Sequence, residues 1–420
     1  MEYADTLIAE RTMSREPIDR AKILRIAVNV FIATICGLAF GVTVQGFIFS
    51  LAQTSVLGSR DFVVFWATGV QLVHHVNPYD PVALLQVERT AGLPAIYSVL
   101  FMRNLPLALP LVYPLGLLSL RMASILWSLL LFACLFLSVF MLRRMHGSPK
   151  NIRHWLGYSF GPALICLIMG QTTLFALLGL VLFLRWHRTY PLLAGISLWF
   201  CMLKPHLFLP FGIVLLAWIV VSRSYKILIG AALALAISFC LTYSIDPMAW
   251  AEYAQMARTS GVQWEFVPCV SILFRVWISK GAVWLQYLPS IVGCVWALCY
   301  YWPRRFKWDW VNRNGSLLML VSLITAPYSW IYDAGIVIPA LLQGAYLARS
   351  RWILMVLAFL SALVEVAQLG NIYKPGFIYF WTIWSAPAWL VWYLIVCTST
   401  ERWRSLWKSF TARICDASAQ

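Results

Sequence analysis

The chain has 420 residues, of which 61% are hydrophobic and 11% are charged, against roughly 25% charged residues in an ordinary soluble domain. This composition excludes a soluble globular protein, and apolar stretches of about 20 residues, long enough to cross a bilayer, recur along almost the whole chain. The formal net charge of +16 does not indicate nucleic-acid binding, because the basic residues cluster in short segments between the apolar stretches, as the positive-inside rule describes.

The N-terminal segment is polar and basic and precedes a long apolar run. Arg11, Arg15 and Arg20 lie ahead of the run from Ile26 to Phe49. This run is too long for the core of a signal peptide and has no small-residue cleavage site. We therefore expect a cytoplasmic tail over residues 1–22, followed by an uncleaved first span.

Further basic segments divide the rest of the chain, at residues 143–153, 185–188, 223–226, 304–313, 349–351 and 402–408. If all of them face the cytoplasm, each intervening pair of apolar stretches makes one outward excursion. The excursions then reach outward at residues 170–171, 204–206, 246–280, 328–333 and 371–376. The sequence predicts an all-α polytopic membrane protein with a bundle of about twelve transmembrane helices over residues 23–400, and a cytoplasmic C-terminal tail over residues 401–420.

Residues 103–186 allow two arrangements. Residues 103–142 form either one span and a half-helix embedded in the bilayer, or two full spans joined near Arg121. In the second arrangement, residues 143–153 face outward and residues 155–186 form one long helix. Both arrangements give about twelve spans.

Two outward loops are large, the first at about residues 52–104 and the second at about residues 245–283. In the first, Asp61–His75 (DFVVFWATGVQLVHH) is apolar around much of its circumference and begins with a charge, which is typical of a helix lying on the membrane surface. Pro78 and Pro81 flank Tyr79-Asp80 and predict a turn. Eight carboxylates lie outside or within the membrane, and a functional one is expected among them: Asp61, Asp80, Glu88, Asp246, Glu252, Glu265, Asp333 and Glu365.

Lys204 interrupts an apolar stretch in the motif LKPH. A charge at the centre of a span costs about 2.5 to 3.5 kcal/mol on the insertion scale, so Lys204 requires an explanation. It is either part of a solvated turn at the membrane surface or a cation that binds a lipid phosphate, with His206 as a further donor.

Three other polar residues interrupt apolar stretches. Gln171 in MGQTT is either a helix cap or a partner for sugar hydroxyls. Asp333 in PYSWIYDAG is either stabilised by a helix dipole or catalytic. Glu365 is expected to face the bundle as a neutral or hydrogen-bonded carboxyl. The ten cysteines and six histidines are scattered and predict no metal site.

The motifs GSRDFVVFWATG, HVNPYDP, MGQTT, AGISLWFCMLKPH and TAPYSWIYDAGIVIPALL occur in this order. As a series, covering roughly residues 60–342, they resemble glycosyltransferase family 87, integral membrane enzymes of the GT-C fold. The resemblance implies inverting transfer of a hexose, typically mannose, from a polyprenyl-phosphate carrier to a lipid or glycan acceptor at the periplasmic face of a bacterial inner membrane. It implies no nucleotide sugar, metal or other cofactor, and the sequence contains no DxD pair.

The resemblance also implies residue roles. Asp61 matches the position of the catalytic base in the first outward loop, although simple helix N-capping is an alternative. One base suffices for inversion, because it takes the proton of the acceptor hydroxyl while the donor phosphate leaves from the opposite side. Lys204, His206 and Arg103 are predicted to bind the donor phosphate.

The sugar or the acceptor is predicted to contact Asp80, Gln171, Tyr332 and Asp333. Some family members carry a histidine in the late outward turn, whereas SWIYDAG has none, so the second catalytic group and the sugar stay open. Two other functions also stay open. A transporter or translocator of a lipid-linked saccharide is disfavoured because no repeat relates the two halves, and a structural subunit would leave the charges at Lys204 and Asp333 without a purpose.

Overall fold

The computed structural model describes residues 20–58, 60–149, 152–261, 267–373 and 382–398. In these ranges every regular element is helical, which confirms the all-α prediction. The predicted C-terminal tail at 401–420, most of the N-terminal tail at 1–22, Glu265 and part of the outward turn at 371–376 lie outside the described residues.

We number the helices of eight or more residues in chain order: α1 Arg20–Ala52, α2 Phe62–Val73, α3 Pro81–Thr90, α4 Leu120–Met145, α5 Gly161–Met169, α6 Thr173–Trp186, α7 Leu209–Ser222, α8 Tyr225–Ile245, α9 Ala249–Thr259, α10 Val270–Trp277, α11 Leu288–Tyr301, α12 Arg313–Ile324, α13 Ile338–Leu347, α14 Arg351–Tyr373 and α15 Ser385–Thr398. Shorter helical turns lie between them, at Thr54–Gly58, Pro106–Ala108, Leu109–Val112, Tyr113–Leu117, Ile152–His154, Trp155–Tyr158, Pro191–Ser197, Cys201–Leu203, Pro205–Phe208, Val283–Gln286, Trp302–Lys307 and Ile331–Val337.

Within the described ranges, six helical segments are long and apolar enough to cross a membrane: Ile26–Ala52, Leu120–Met145, Pro205–Ser222, Tyr225–Ile245, Val283–Lys307 and Arg351–Gln368. Other apolar helices, such as α6 and α12, have only 10–17 residues. A hydrocarbon core of about 30 Å needs about 20 helical residues. Full-length helices therefore do not reach the predicted count of about twelve.

The helices between residues 103 and 186 have lengths that fit one of the two predicted arrangements. α4 is a single 26-residue helix, and a short apolar helix at Pro106–Leu117 precedes it. The one long helix over residues 155–186 is not observed, because the chain turns at Gly170 between α5 and α6. The observed lengths match one span and a half-helix.

The helix predicted to lie on the membrane surface is instead buried. Nine of the twelve residues of α2 are buried, and the helix packs directly on Pro106–Leu117. A Cβ atom on Gly69 would lie 2.5 Å from the carbonyl oxygen of Val112, so the two backbones meet only because the residue is glycine. The prediction was wrong because protein, and not lipid headgroups, covers the apolar face. The predicted turn at Pro78-Tyr79 is confirmed.

Aromatic side chains hold the two ends of α6. Near its start, Trp127 of α4 packs against Phe175 with 5.1 Å between ring centroids. Near its end, Phe183 packs edge-on against Trp310 at 5.5 Å. Both tryptophans are buried. Large rings of this kind contribute much of the packing energy of a helical core, so α6 is a fixed element from which the surrounding turns are positioned.

Polar turns and basic segments lie at opposite ends of the central helices. α6 follows the turn at Gln171 and ends near Arg185, and α7 follows the turn at Lys204 and ends at Arg223. α13 likewise follows the turn that contains Asp333 and ends before the basic segment at 349–351. The polar turns are therefore collected at one end of the bundle.

Candidate active site

Asp61 precedes α2 and is positioned by its neighbour Arg60. The Arg60 side chain is only 3% exposed. It donates hydrogen bonds to the backbone oxygens of Leu167, at 3.1 Å, and Ile168. Because these carbonyls lie in the last turn of α5, Arg60 fastens the start of α2 to the turn that carries Gln171.

The turn between α5 and α6 brings Gln171 to Asp61. Gly170 has a φ of 77°, in the left-handed region that favours glycine, and its carbonyl accepts a hydrogen bond of 2.7 Å from Trp127 Nε1. Gln171 Nε2 donates to Asp61 Oδ2 at 2.8 Å, and the Asp61 side chain makes no capping hydrogen bond to α2. Both side chains therefore interact with each other and not with a helix end.

The environment of Asp61 makes its carboxyl harder to ionise. Burial raises the pKa of Asp61 above its ordinary value. The hydrogen bond from Gln171, the positive charge of Lys204, the Tyr332 hydroxyl and Arg103 oppose this rise in that order. A carboxylate with a raised pKa is a stronger base once it is ionised.

Lys204 and Asp333 form a buried ion pair beside Asp61. Lys204 Nζ lies 2.6 Å from Asp333 Oδ1, and the side chains are 9% and 1% exposed. Asp333 Oδ1 also accepts from Thr173 Oγ1 at 2.8 Å, and Oδ2 accepts from the backbone N–H of Trp330 at 2.9 Å. Lys204 Nζ lies 4.8 Å from the centroid of the Tyr332 ring. A solvated turn at Lys204 is therefore wrong, and dipole stabilisation is at most one part of the role of Asp333.

Arg103 and His206 border this cluster. Next to Arg103, Asn104 Nδ2 donates to the backbone oxygen of Leu203 at 2.7 Å, which ties the first outward loop to the LKPH turn. The His206 ring stacks on Tyr328 with 3.8 Å between centroids. Its Nε2 atom is buried and has no hydrogen-bond partner among the described residues. All three predicted phosphate ligands thus lie around the same turn.

Asp80 is placed differently. Its Oδ1 atom accepts hydrogen bonds from the backbone N–H groups of Val82 at 2.9 Å and Ala83 at 2.8 Å, so it caps α3. Within the described part of the chain, no hydrogen bond joins Asp80 to the Asp61 cluster. Its role in binding sugar or acceptor stays a prediction.

The structure adds residues that sequence reasoning did not single out. Arg60 and Thr173 stand inside the quoted motifs GSRD and MGQTT, beside residues that were identified, so their position was a usable signal. Asn104 carries no such signal, because its contact with Leu203 is long-range. Within the described ranges, no three His, Cys, Asp or Glu side chains are grouped so that they could hold a metal ion.

The model of glycosyltransferase family 87 matches residues 104–327. No curated protein and no solved structure matches the chain. Gln171, Lys204 and His206 lie inside the matched region, whereas Asp61 and Asp333 lie outside it and reach the cluster through the fold. Since the match covers more than half of the chain, the protein belongs to glycosyltransferase family 87 and is a membrane glycosyltransferase.

Proposed function

We propose that the protein is an inverting glycosyltransferase that moves a hexose, mannose in the simplest case, from a polyprenyl-phosphate carrier to a lipid or glycan acceptor. The observation that carries the proposal is the hydrogen bond between Gln171 and Asp61 beside the buried Lys204–Asp333 pair. A carboxylate and a cation thus lie in one cluster, which supports a transfer that needs a base and a phosphate-binding cation. The reaction proposed here uses no metal or other cofactor.

Asp61 is proposed as the general base. Its carboxylate takes the proton of the acceptor hydroxyl, the hydroxyl oxygen bonds to the anomeric carbon, and the bond from that carbon to the phosphate oxygen breaks with its electron pair leaving on the phosphate. Gln171 holds Oδ2 and so orients the carboxylate. The raised pKa of Asp61 supports this role, because it increases the basicity of the ionised group.

Lys204 is proposed to bind the donor phosphate together with Arg103 and His206. An ammonium has three donors, and Asp333 accepts from Lys204 through one oxygen, so a phosphate can share the same cation. The donor phosphodiester carries one negative charge, and the departing phosphate monoester carries more. The cations therefore stabilise the leaving group more strongly than the bound donor, which is the requirement for catalysis.

The backbone around the Lys204–Asp333 pair favours the binding of an anionic ligand. α6 begins beside the cluster, because its first residue, Thr173, donates to Asp333, and helix N-termini present unpaired N–H groups and a partial positive charge. Basic segments lie at the far ends of α6 and α7. By the positive-inside rule this arrangement supports a periplasmic active site.

The test is a transfer assay with purified protein in lipid vesicles, synthetic polyprenyl-phosphate mannose and a panel of glycolipid and glycan acceptors. Asp61→Asn should lower kcat by about 10²- to 10⁴-fold, the usual contribution of a general base, without loss of folding. Full turnover by a folded Asp61→Asn variant would refute the role of Asp61. Movement of labelled lipid-linked saccharide across the vesicle membrane with no glycosyl transfer would support the translocator instead.

Asp309→Asn is the matched control. Asp309 Oδ1 accepts from the backbone N–H of Val311 at 2.9 Å, and Oδ2 accepts from Asn312 Nδ2. An asparagine oxygen can accept the first hydrogen bond, and its Nδ2 can donate to the Asn312 amide oxygen once that amide has rotated. Asp309 acts electrostatically on His187, which follows the last residue of α6. It is therefore about 20 Å, the length of a 14-residue helix, from the Asp61 end of the bundle. Its substitution should leave turnover unchanged.

A further inference from the structure

A second group of polar and aromatic side chains lies where the first outward loop meets α9. Tyr79, in the turn before α3, packs edge-on against Tyr253 of α9 with 5.6 Å between ring centroids. Tyr253 Oη donates to the backbone oxygen of Arg103 at 3.2 Å. Since Arg103 acts electrostatically on Asp61, α9 is joined to the border of the proposed active site.

Two buried polar atoms of this group, Tyr79 Oη and Glu252 Oε2, have no hydrogen-bond partner among the described residues. Tyr79 is only 3% exposed. Buried polar atoms are paired in the great majority of cases, so two unpartnered ones in one group require an explanation. A ligand with several hydroxyl groups would pair both.

The carboxyl groups of Asp246 and Glu252 also belong to this set of side chains. Asp246 Oδ1 accepts from the backbone N–H of Met248 at 2.9 Å, which shapes the turn from α8 into α9. Burial, followed by the charge and the hydrogen bond of Asp246, raises the pKa of Glu252 to about 7. Burial raises the pKa of the Tyr79 hydroxyl, and the nearby Tyr253, Asp246 and Glu252 raise it further. Acidic and aromatic groups therefore face one another here.

We propose that this group, which we call the α9 subsite, binds the saccharide of the acceptor through Tyr79, Asp246, Glu252 and Tyr253. The inference rests on the proposed glycosyl transfer. Sugar hydroxyls donate to carboxylate oxygens and accept from tyrosine donors. The apolar face of a sugar ring packs on aromatic rings, which combine a large apolar surface with a polar end. A plain lipid chain would leave the carboxyl groups and the two unpartnered atoms unsatisfied.

The position of the α9 subsite favours the acceptor over the donor. The donor sugar is covalently attached to the phosphate, so it lies beside the Lys204–Asp333 pair. No hydrogen bond in the described structure joins the four subsite residues to that pair. In an inverting transfer, the acceptor approaches opposite to the departing phosphate. The subsite meets the proposed active site at the backbone oxygen of Arg103, which accepts from Tyr253, whereas the proposed phosphate ligand is the Arg103 side chain.

The first test measures binding without turnover. Octyl α-D-mannopyranoside is titrated into the full-length protein in lipid nanodiscs, with 1-octanol as a probe for the alkyl chain alone. Glu252→Gln and Tyr79→Phe should each weaken the affinity for octyl mannoside by about five- to tenfold, the effect of one hydrogen bond, and should not change octanol binding. Tyr243→Phe, a 56%-exposed tyrosine of α8, is the matched control and should bind like the wild type.

Unchanged octyl mannoside affinity in the variants would overturn the α9 subsite. Tyr79→Phe keeps the ring that packs on Tyr253, so it decides the question if Glu252→Gln does not fold. The second test is the transfer assay, in which both variants should raise the KM for a mannosyl acceptor with little change in kcat. An unchanged acceptor KM, with transfer intact, would overturn the subsite alone.

Asp61→Asn separates this inference from the proposed function. The variant should lose transfer and still bind octyl mannoside with wild-type affinity. If the wild-type protein transfers no mannose but Glu252→Gln and Tyr79→Phe still weaken octyl mannoside binding, the proposed function fails and a saccharide site at α9 stands.

Discussion

Removing one member of the Lys204–Asp333 pair should destabilise the protein strongly. Breaking a buried ion pair costs about 3–5 kcal/mol, because the remaining charge is buried without compensation. In Lys204→Met, Asp333 keeps its hydrogen bonds from Thr173 and Trp330, so we expect about 3 kcal/mol, the lower end of the range. In Asp333→Asn, the Lys204 ammonium remains buried without its paired charge and keeps the Tyr332 ring at 4.8 Å and the electrostatic interaction with Asp61 as partial compensation, and we expect a similar cost.

The double variant Lys204→Met/Asp333→Asn tests the reasoning. It buries no net charge at either position. An asparagine oxygen in the place of Oδ2 still accepts from the backbone N–H of Trp330, and its Nδ2 can donate to Thr173 Oγ1. Its free energy of unfolding should lie within about 1 kcal/mol of the wild type, since uncharged replacements of a buried pair are often neutral. The unfolding free energies of the two single variants and the double variant should therefore give a favourable coupling energy. It should be well above about 0.5 kcal/mol, the largest deviation from additivity expected for independent sites.

The assay is unfolding of the purified protein in mixed micelles of rising SDS content, monitored by tryptophan fluorescence. Lys226→Met is the control, because Lys226 is an exposed residue in the basic segment at the start of α8. It should change the unfolding free energy by less than about 0.5 kcal/mol. If each single variant costs less than about 1 kcal/mol, or if the double variant costs the sum of the singles, the ion pair is not the energetic unit that the 2.6 Å contact indicates.

Three further predictions concern other residues. Because the pKa of Asp61 is raised, kcat/KM should increase with pH through an ionisation above the ordinary value of roughly 3.9; a profile that is flat from about pH 4 to 8 would contradict this. Gly170→Ala should lower the melting temperature and the activity, because a Cβ atom there would lie 2.7 Å from Cβ of Phe62 and the residue has a positive φ. Gly212→Ala should be neutral, because a Cβ atom at Gly212 would have no other atom within 4 Å among the described residues. Burial raises the pKa of Glu88 to about 7, so folded protein holds this proton more tightly than unfolded protein. Stability is then full below about pH 4.5 and falls by up to about 3 kcal/mol as pH rises through 7; the slope of melting temperature against pH should flatten in Glu88→Gln and persist in Glu88→Asp.

Much of the architecture was predictable because it depends on local sequence. The length of the apolar stretches and the placement of basic residues predicted a helical membrane protein with polar turns at one end. The apolar neighbours of Glu365 predicted its burial, and its carboxyl accepts a hydrogen bond from Thr43 at 3.2 Å. The span count was less predictable. Apolar stretches such as α6 and α12 end after 12–14 residues, because turns break them where the site residues stand.

The site could be predicted residue by residue but not as an arrangement. Asp61, Gln171, Lys204 and Asp333 each stood out as polar groups in apolar surroundings, and each had a local explanation that sequence could not exclude. Helix capping and solvated turns depend on a residue's neighbours within about one turn. The contacts that replaced these explanations join residues 110 and 129 positions apart.

The hydrophobicity and charge of short segments are enough to predict a helical membrane protein that is polar at one end. The tertiary structure is needed to bring Asp61 to Gln171 and Lys204 to Asp333. It also decided that α2 is covered by protein. The physical reason is that a buried polar group must find its partner within the folded bundle, and that partner is set by how the helices pack and not by the residues next to it in the chain.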